Sequence, residues 1–215
     1  MKIGIIAEGH SDRAVIVNIL HRLIGIDIND IIPIRPVDIY DETDLANIPK
    51  EQFGGWDSVK KECERKELIP LFFERLGNNF LTIHIDTAES AQYGIVQPTK
   101  DQNYCKNLRE LVIAKIIEWM GIDISKSLLF AIAIEEIDAW ILTLMEDRDS
   151  SKSANAKKRL EYLKGYKLGK MKPNYELYYE FSEGFKNSSD KQMLKFRHRN
   201  ESLDMFCEEV LEKTI

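Results

Sequence analysis

The chain has 215 residues, 44% of them hydrophobic and 31% charged, with a formal net charge of −6. That length fits one α/β domain with an appendage or two small domains, and no stretch approaches the roughly 20 apolar residues of a membrane span. The first residues carry no leader with a small-residue cleavage site, and Cys63, Cys105 and Cys207 are too scattered for a disulfide framework or a zinc site, so the expectation is a reduced, cytoplasmic protein without a membrane partner.

The apolar run Ile3–Ala7 reads as a buried strand. Glu8-Gly9-His10-Ser11-Asp12 follows at once, and then Val15, Ile16, Ile19, Leu20 and Leu23 recur at helical spacing. Ser11 or Asp12 is placed to cap that helix, and Gly25 ends it. Residues 31–40 mix β-branched side chains with Pro33 and Pro36, the pattern of an edge or interrupted strand. A polar loop runs to Gly54-Gly55, and Trp56 to Leu76 reads as helix broken at Pro70. Phe80 to Asp86 is a strong strand, 87–103 a long loop, and Tyr104 to Met120 an amphipathic helix. Leu128 to Ile134 is a third buried strand that runs through Glu135-Glu136 into a helix over Ile137–Met145. Beyond residue 147 come a linker at 150–153, a basic helix at 154–163, an aromatic-rich segment at 174–185 and a helix at 202–213. Apolar strands alternating with helices predict a mainly parallel sheet covered on both faces. The expected organisation is an α/β, Rossmann-like domain over 1–147 and a small helical, basic extension over 148–215.

Charge is unevenly placed. Residues 151–199 hold thirteen lysines and arginines against five acids, a net of +8, which leaves −14 for the rest of the chain. A solvated helical face explains such a segment as well as a polyanion partner does. Tyr175, Tyr178 and Tyr179 could stack bases, although their spacing suits packing along one helix face.

The strongest strands all end in acid: Glu8, Asp86, and Glu135, Glu136 and Asp138. In a parallel sheet these ends share the ligand-binding edge. Carboxylates crowded there repel one another unless a cation joins them, and Mg²⁺ or Mn²⁺ prefers such oxygen ligands. Taken singly, each acid is equally well explained by the helix dipole that follows it.

The motifs in order, Ala7-Glu8-Gly9-His10-Ser11-Asp12, then His84-Ile85-Asp86-Thr87-Ala88-Glu89, then Ile134-Glu135-Glu136-Ile137-Asp138-Ala139-Trp140-Ile141-Leu142, resemble the TOPRIM domain. They are most similar to small stand-alone members related to the OLD-type nucleases of bacterial defence systems. The resemblance covers residues 1–147. It implies a divalent-metal nuclease in an anti-phage setting, cutting DNA in preference to RNA, with Glu8, Asp86 and Glu136 as catalytic residues. The implied metal ligands are Glu8, Asp86, Glu89, Glu135, Glu136 and Asp138. Asp86 with Glu136 and Asp138 would anchor one ion, and Glu8 would complete a second site or act as general base. The family's second motif is Asp-x-Asp, and here its second acid is replaced by Ala88. Glu89 or the Glu135/Glu136 pair would have to substitute, so a degenerate module that binds nucleic acid or a protein without cutting stands as the alternative. An acidic edge repels a polyanion, which gives His10, Lys157, Lys158, Arg159, Lys195, Arg197 and Arg199 the expected role of phosphate contacts. The chain has no GxxxxGK[ST] motif, so an ATPase would be a separate partner. A homo-oligomer is compatible with this reading.

Overall fold

The computed structural model describes residues 1–36, 55–65, 68–75, 77–121, 125–165 and 174–214. The expected loop and strand end within 37–54, and Lys167, Lys170 and Lys172, lie outside the described residues. Four strands, β1 (Lys2–Ile6), β2 (Ile31–Arg35), β3 (Asn78–Asp86) and β4 (Leu128–Ala133), form an all-parallel sheet in the order β2-β1-β3-β4. The helices among the described residues are α1 (His10–Ile24), α2 (Trp56–Cys63), α3 (Leu68–Glu74), α4 (Tyr104–Met120), α5 (Asp138–Leu142), α6 (Ala156–Lys164), α7 (Tyr175–Lys186), α8 (Asp190–Arg197) and α9 (Glu201–Thr214). The fold is α/β and Rossmann-like, as the strand–helix alternation predicts.

Parallel strands covered on both faces should be apolar along their whole length, and all six residues of β4 are buried. On one face Ile3, Ile5, Leu129 and Ala131 pack with Ile16 and Leu20 of α1, Phe181 and Phe185 of α7, and Phe206 of α9. On the other, Ile6, Ile83, Ile85 and Ile132 pack with Val59 of α2, Phe72 of α3 and Leu108 and Val112 of α4. The helices beyond residue 147 therefore contribute to the same core as the first strand. Asn18 of α1 ties them further, its amide donating 2.8 Å bonds to the Tyr179 carbonyl and to Ser182 Oγ.

β2, which contains Pro33, occupies one edge as expected. β4 occupies the other despite its apolarity, and its free backbone groups are met by side chains. The Phe130 N–H donates to Glu209 at 3.0 Å, Arg109 donates to the Phe130 carbonyl at 3.2 Å, and Lys213 donates to the Leu128 carbonyl at 2.7 Å. Partners of this kind blunt the edge as a template for another strand.

Two element boundaries differ from the sequence reading. The break within 56–76 falls after Glu64, and Pro70 lies in the first turn of α3, where no N–H is needed. The helix expected over 137–145 is regular only from Asp138 to Leu142, and it closes with bonds from Thr143, Leu144 and Met145 to carbonyls three residues back. The three cysteines are free and buried. Among the described residues, no helix is long and apolar enough to cross a membrane.

Candidate functional site

β1 and β3 are parallel neighbours, with Ile6 paired to Ile83, so Glu8 and Asp86 leave the sheet at the same edge. Glu8 Oε1 accepts the Asp86 N–H at 2.8 Å, and Asp86 Oδ1 accepts the Ile137 N–H at 3.0 Å. Two of the acids that sequence places at this edge are therefore held on one backbone framework. Burial, and then the neighbouring Asp86 carboxylate, push Glu8 up to about 8. Burial also pushes Asp86 up to about 6, against the opposing influence of the nearby His84 ring.

His84 lies on β3 with no exposure. Its Nδ1 sits 2.6 Å from the Ala131 carbonyl, so Nδ1 carries the proton. Its buried Nε2 has no hydrogen-bond partner and lies 3.4 Å from Asp86 Oδ1, close enough for an ion pair but poorly directed for a hydrogen bond. Burial disfavours charge on this ring, but Asp86, Asp12 and Glu8 outweigh it and raise His84 to about 9.

Asp12 enters the site by a correction to the sequence reading. Helix α1 begins at His10 with Gly9 as its N-cap and no side-chain cap, so neither Ser11 nor Asp12 caps it. Both lie inside the first turn, where the helix dipole favours the Asp12 carboxylate. Asp12, His84 and Asp86 each offer a ligand atom, all within 4.8 Å of one another. A side chain at Gly9 would place its Cβ 3.1 Å from Asp12 Oδ2, so the glycine leaves that carboxylate its room.

The third acidic group is divided among structural duties. Asp138 is 6% exposed, and its Oδ1 accepts the Tyr178 hydroxyl at 2.8 Å. Burial pushes it up to about 7, with Tyr178 opposing and Asp86 and Glu136 adding to the rise. Glu136 Oε2 accepts the Lys157 N–H at 3.1 Å and so caps the start of α6. Glu135 lies 3.7 Å from Lys100 Nζ. Glu89 is exposed and precedes a 3₁₀ turn over Ser90–Tyr93. None of Glu8, Glu89, Glu135, Glu136 and Asp138 belongs to the Asp12–His84–Asp86 group, although Glu8 touches Asp86 through its backbone.

Glu135 has a φ of 64°, a left-handed conformation that is costly for a side-chain-bearing residue. It is held there by its N–H donating to Thr87 Oγ1 at 2.7 Å and its carbonyl accepting the Ala88 N–H at 3.0 Å. Replacing it with glycine should relieve about 1–2 kcal/mol of strain against an entropic cost of about 0.5–1 kcal/mol. Glu135→Gly is therefore expected to match or exceed the wild-type urea midpoint, whereas Glu135→Val should lower it. A glycine variant clearly weaker than wild type would mean that this conformation stores no strain.

The proposed phosphate contacts are mostly engaged elsewhere. Arg159 forms a two-pronged pair with Glu146. Arg197 Nε lies 2.5 Å from Asp204, and Arg199 donates to Asp147 at 2.6 Å and to the Thr143 carbonyl at 2.7 Å. Lys158 and Lys195 are exposed, while Lys157 and His10 are half-buried. Tyr178 is buried, and Tyr175 and Tyr179 stack on each other at 5.7 Å. No local signal in the chain marks Tyr178 as the partner of Asp138, since forty residues separate them. Compared with protein-family models, curated proteins and solved structures, the chain matches none of them.

Proposed function

We propose that this edge binds a divalent cation and hydrolyses phosphodiester bonds in nucleic acid, with DNA favoured over RNA. The observation that carries the reading is a buried His84 whose Nε2 has no hydrogen-bond partner, in a group with Asp12 and Asp86 whose ligand atoms all lie within 4.8 Å of one another. These donors fit a cation on chemical grounds. The Nδ1–H bond to a backbone carbonyl is the usual support for a metal-ligating histidine, and burial together with neighbouring carboxylates disfavours charge on Glu8 and Asp86, a cost that a cation would relieve. An imidazole among carboxylates favours Mn²⁺ over Mg²⁺. Asp12, His84 and Asp86 would hold the ion, with Glu8 beside them. When bound, such an ion supplies Lewis acidity toward a phosphoryl oxygen.

The chain's own residues would do the rest. Glu8, whose proton affinity burial and then the Asp86 carboxylate raise, would take the proton from an attacking water once a bound cation has displaced its own. Its Oε1 is held by the Asp86 N–H, and the second oxygen would take the proton. The test is incubation of the purified chain with plasmid and with single-stranded DNA, with Mn²⁺, Mg²⁺ or EDTA. Cleavage with Mn²⁺ that EDTA abolishes is the expected result. A second reading, a binding module that does not cut, is favoured by exposed Ala88 where the family's second acid stands, and intact DNA under every metal would select it. The defence setting and a separate ATPase partner rest on the family resemblance alone.

A further inference from the structure

A cleft of about 380 Å³ lies beside the acidic edge, lined by Trp56, Tyr93, Trp119 and Gln92 and by two Lys–Glu pairs, Lys60 with Glu64 and Lys115 with Glu118. That volume is at the lower end of small-ligand pockets, which run from about 300 to 1,000 Å³. Tyr93 and Trp119, both nearly buried, form its floor with ring centroids 5.8 Å apart and planes at 72°. Trp56 is half-buried and leans on Tyr93 at 5.4 Å, and its indole N–H donates to Gln92 at 3.3 Å. Lys60 and Lys115 stand at the rim, partly exposed and paired with Glu64 at 3.8 Å and Glu118 at 2.9 Å. Such exposed pairs are weak and readily exchange for another anion.

Two hydrogen bonds join the cleft to the acids. The Gly55 N–H donates to the Glu8 carbonyl at 3.2 Å, one residue before Trp56, and the Tyr93 hydroxyl donates to the Asp86 carbonyl at 3.1 Å. Gly55 has a φ of 87°, so the turn that presents Trp56 needs a glycine. The aromatic wall is thus built onto the same backbone that places Glu8 and Asp86.

We infer that this cleft is a subsite for one unstacked nucleobase of a strand whose phosphodiester lies at the acidic edge. The base stacks on Trp56, and Lys60 and Lys115 meet the neighbouring phosphate. A flat ring and an anion within one ligand are what an aromatic wall between two ammonium groups selects, and this pairing favours a nucleotide over a peptide. The inference deepens the nuclease reading and rests on it.

The test is binding of a labelled single-stranded oligothymidylate to the full chain in EDTA, read by fluorescence anisotropy. Trp56→Ala should weaken binding by at least about fivefold, the lower bound for losing a base-stacking aromatic, and Trp56→Phe should restore most of it. Lys60→Gln combined with Lys115→Gln, which spares the aromatic floor, should reduce the slope of log affinity against log salt by about one. Wild-type affinity in Trp56→Ala together with an unchanged salt slope in the lysine variant would overturn the subsite even if Mn²⁺-dependent cleavage is present. Binding that depends on Trp56 without cleavage under any metal would instead uphold the subsite and remove the nuclease reading.

Discussion

Glu8→Gln is expected to lower Mn²⁺-dependent cleavage by at least about 10²-fold, the minimum usually lost with a general base, and at the same time to raise the melting temperature measured in EDTA at pH 8. The two effects have one cause. Glu8 Oε1 accepts the Asp86 N–H, and the amide oxygen of the replacement can keep that bond. Asp86 and Asp12 both raise the proton affinity of Glu8. An amide group there gives these carboxylates a donor in place of a repelling charge, and it removes the cost of burying an ionised group. For a chain of this size each kcal/mol gained shifts melting by about 2–4 °C. Asp86→Asn should also lose cleavage but gain no stability, because Asp86 is the chief group that keeps His84 charged. In that variant the His84 ring should titrate at lower pH by NMR. Undiminished cleavage in both variants would leave the acidic edge with no part in the chemistry.

Such a site was only partly legible in the sequence. The strands could be read because parallel strands buried on both faces are written as unbroken apolar runs, as in Leu128–Ala133. Once the sheet was parallel, the acids after β1 and β3 had to share an edge, and Glu8 and Asp86 do meet there. Asp12 was obscured because its position relative to α1 depends on where the helix starts. A start at His10 moves it from the expected cap to the site. Tyr178 had no nearby marker, because its bond to Asp138 depends on how α7 packs against α1 and α5. The basic segment was misleading for a related reason. Net charge counted over 151–199 omits Glu146, Asp147 and Asp204, which lie outside that window and pair with Arg159, Arg199 and Arg197.

The pH dependence of stability should carry the signature of this cluster. In EDTA, the site's contribution to stability is expected to fall steadily between about pH 5 and pH 9. Glu8 binds its proton up to about 8 in the folded chain but only to its ordinary value of 4.5 when unfolded. Asp86 and Asp138 are raised from 3.8 to about 6 and about 7, and His84 from 6.5 to about 9. In each window the folded state holds the extra proton, so raising pH favours unfolding. All four groups share this sign, although Glu8 and Asp86 lose their protons as a pair and their contributions do not simply add. A cation bound among these donors must displace those protons, so Mn²⁺ should stabilise strongly at pH 8 and barely at pH 5. At a hundred times its dissociation constant the gain would be about 2.7 kcal/mol. Thermal melts of wild type and Glu8→Gln, with Mn²⁺ and with EDTA at both pH values, isolate the site, since titrations elsewhere in the chain cancel in the difference. A Mn²⁺ shift of equal size at pH 5 and pH 8, or one retained in full by Asp86→Asn, would place the ion away from these carboxylates. The crowding of Glu8, Asp12 and Asp86 would then be a cost to the fold with no cation to offset it.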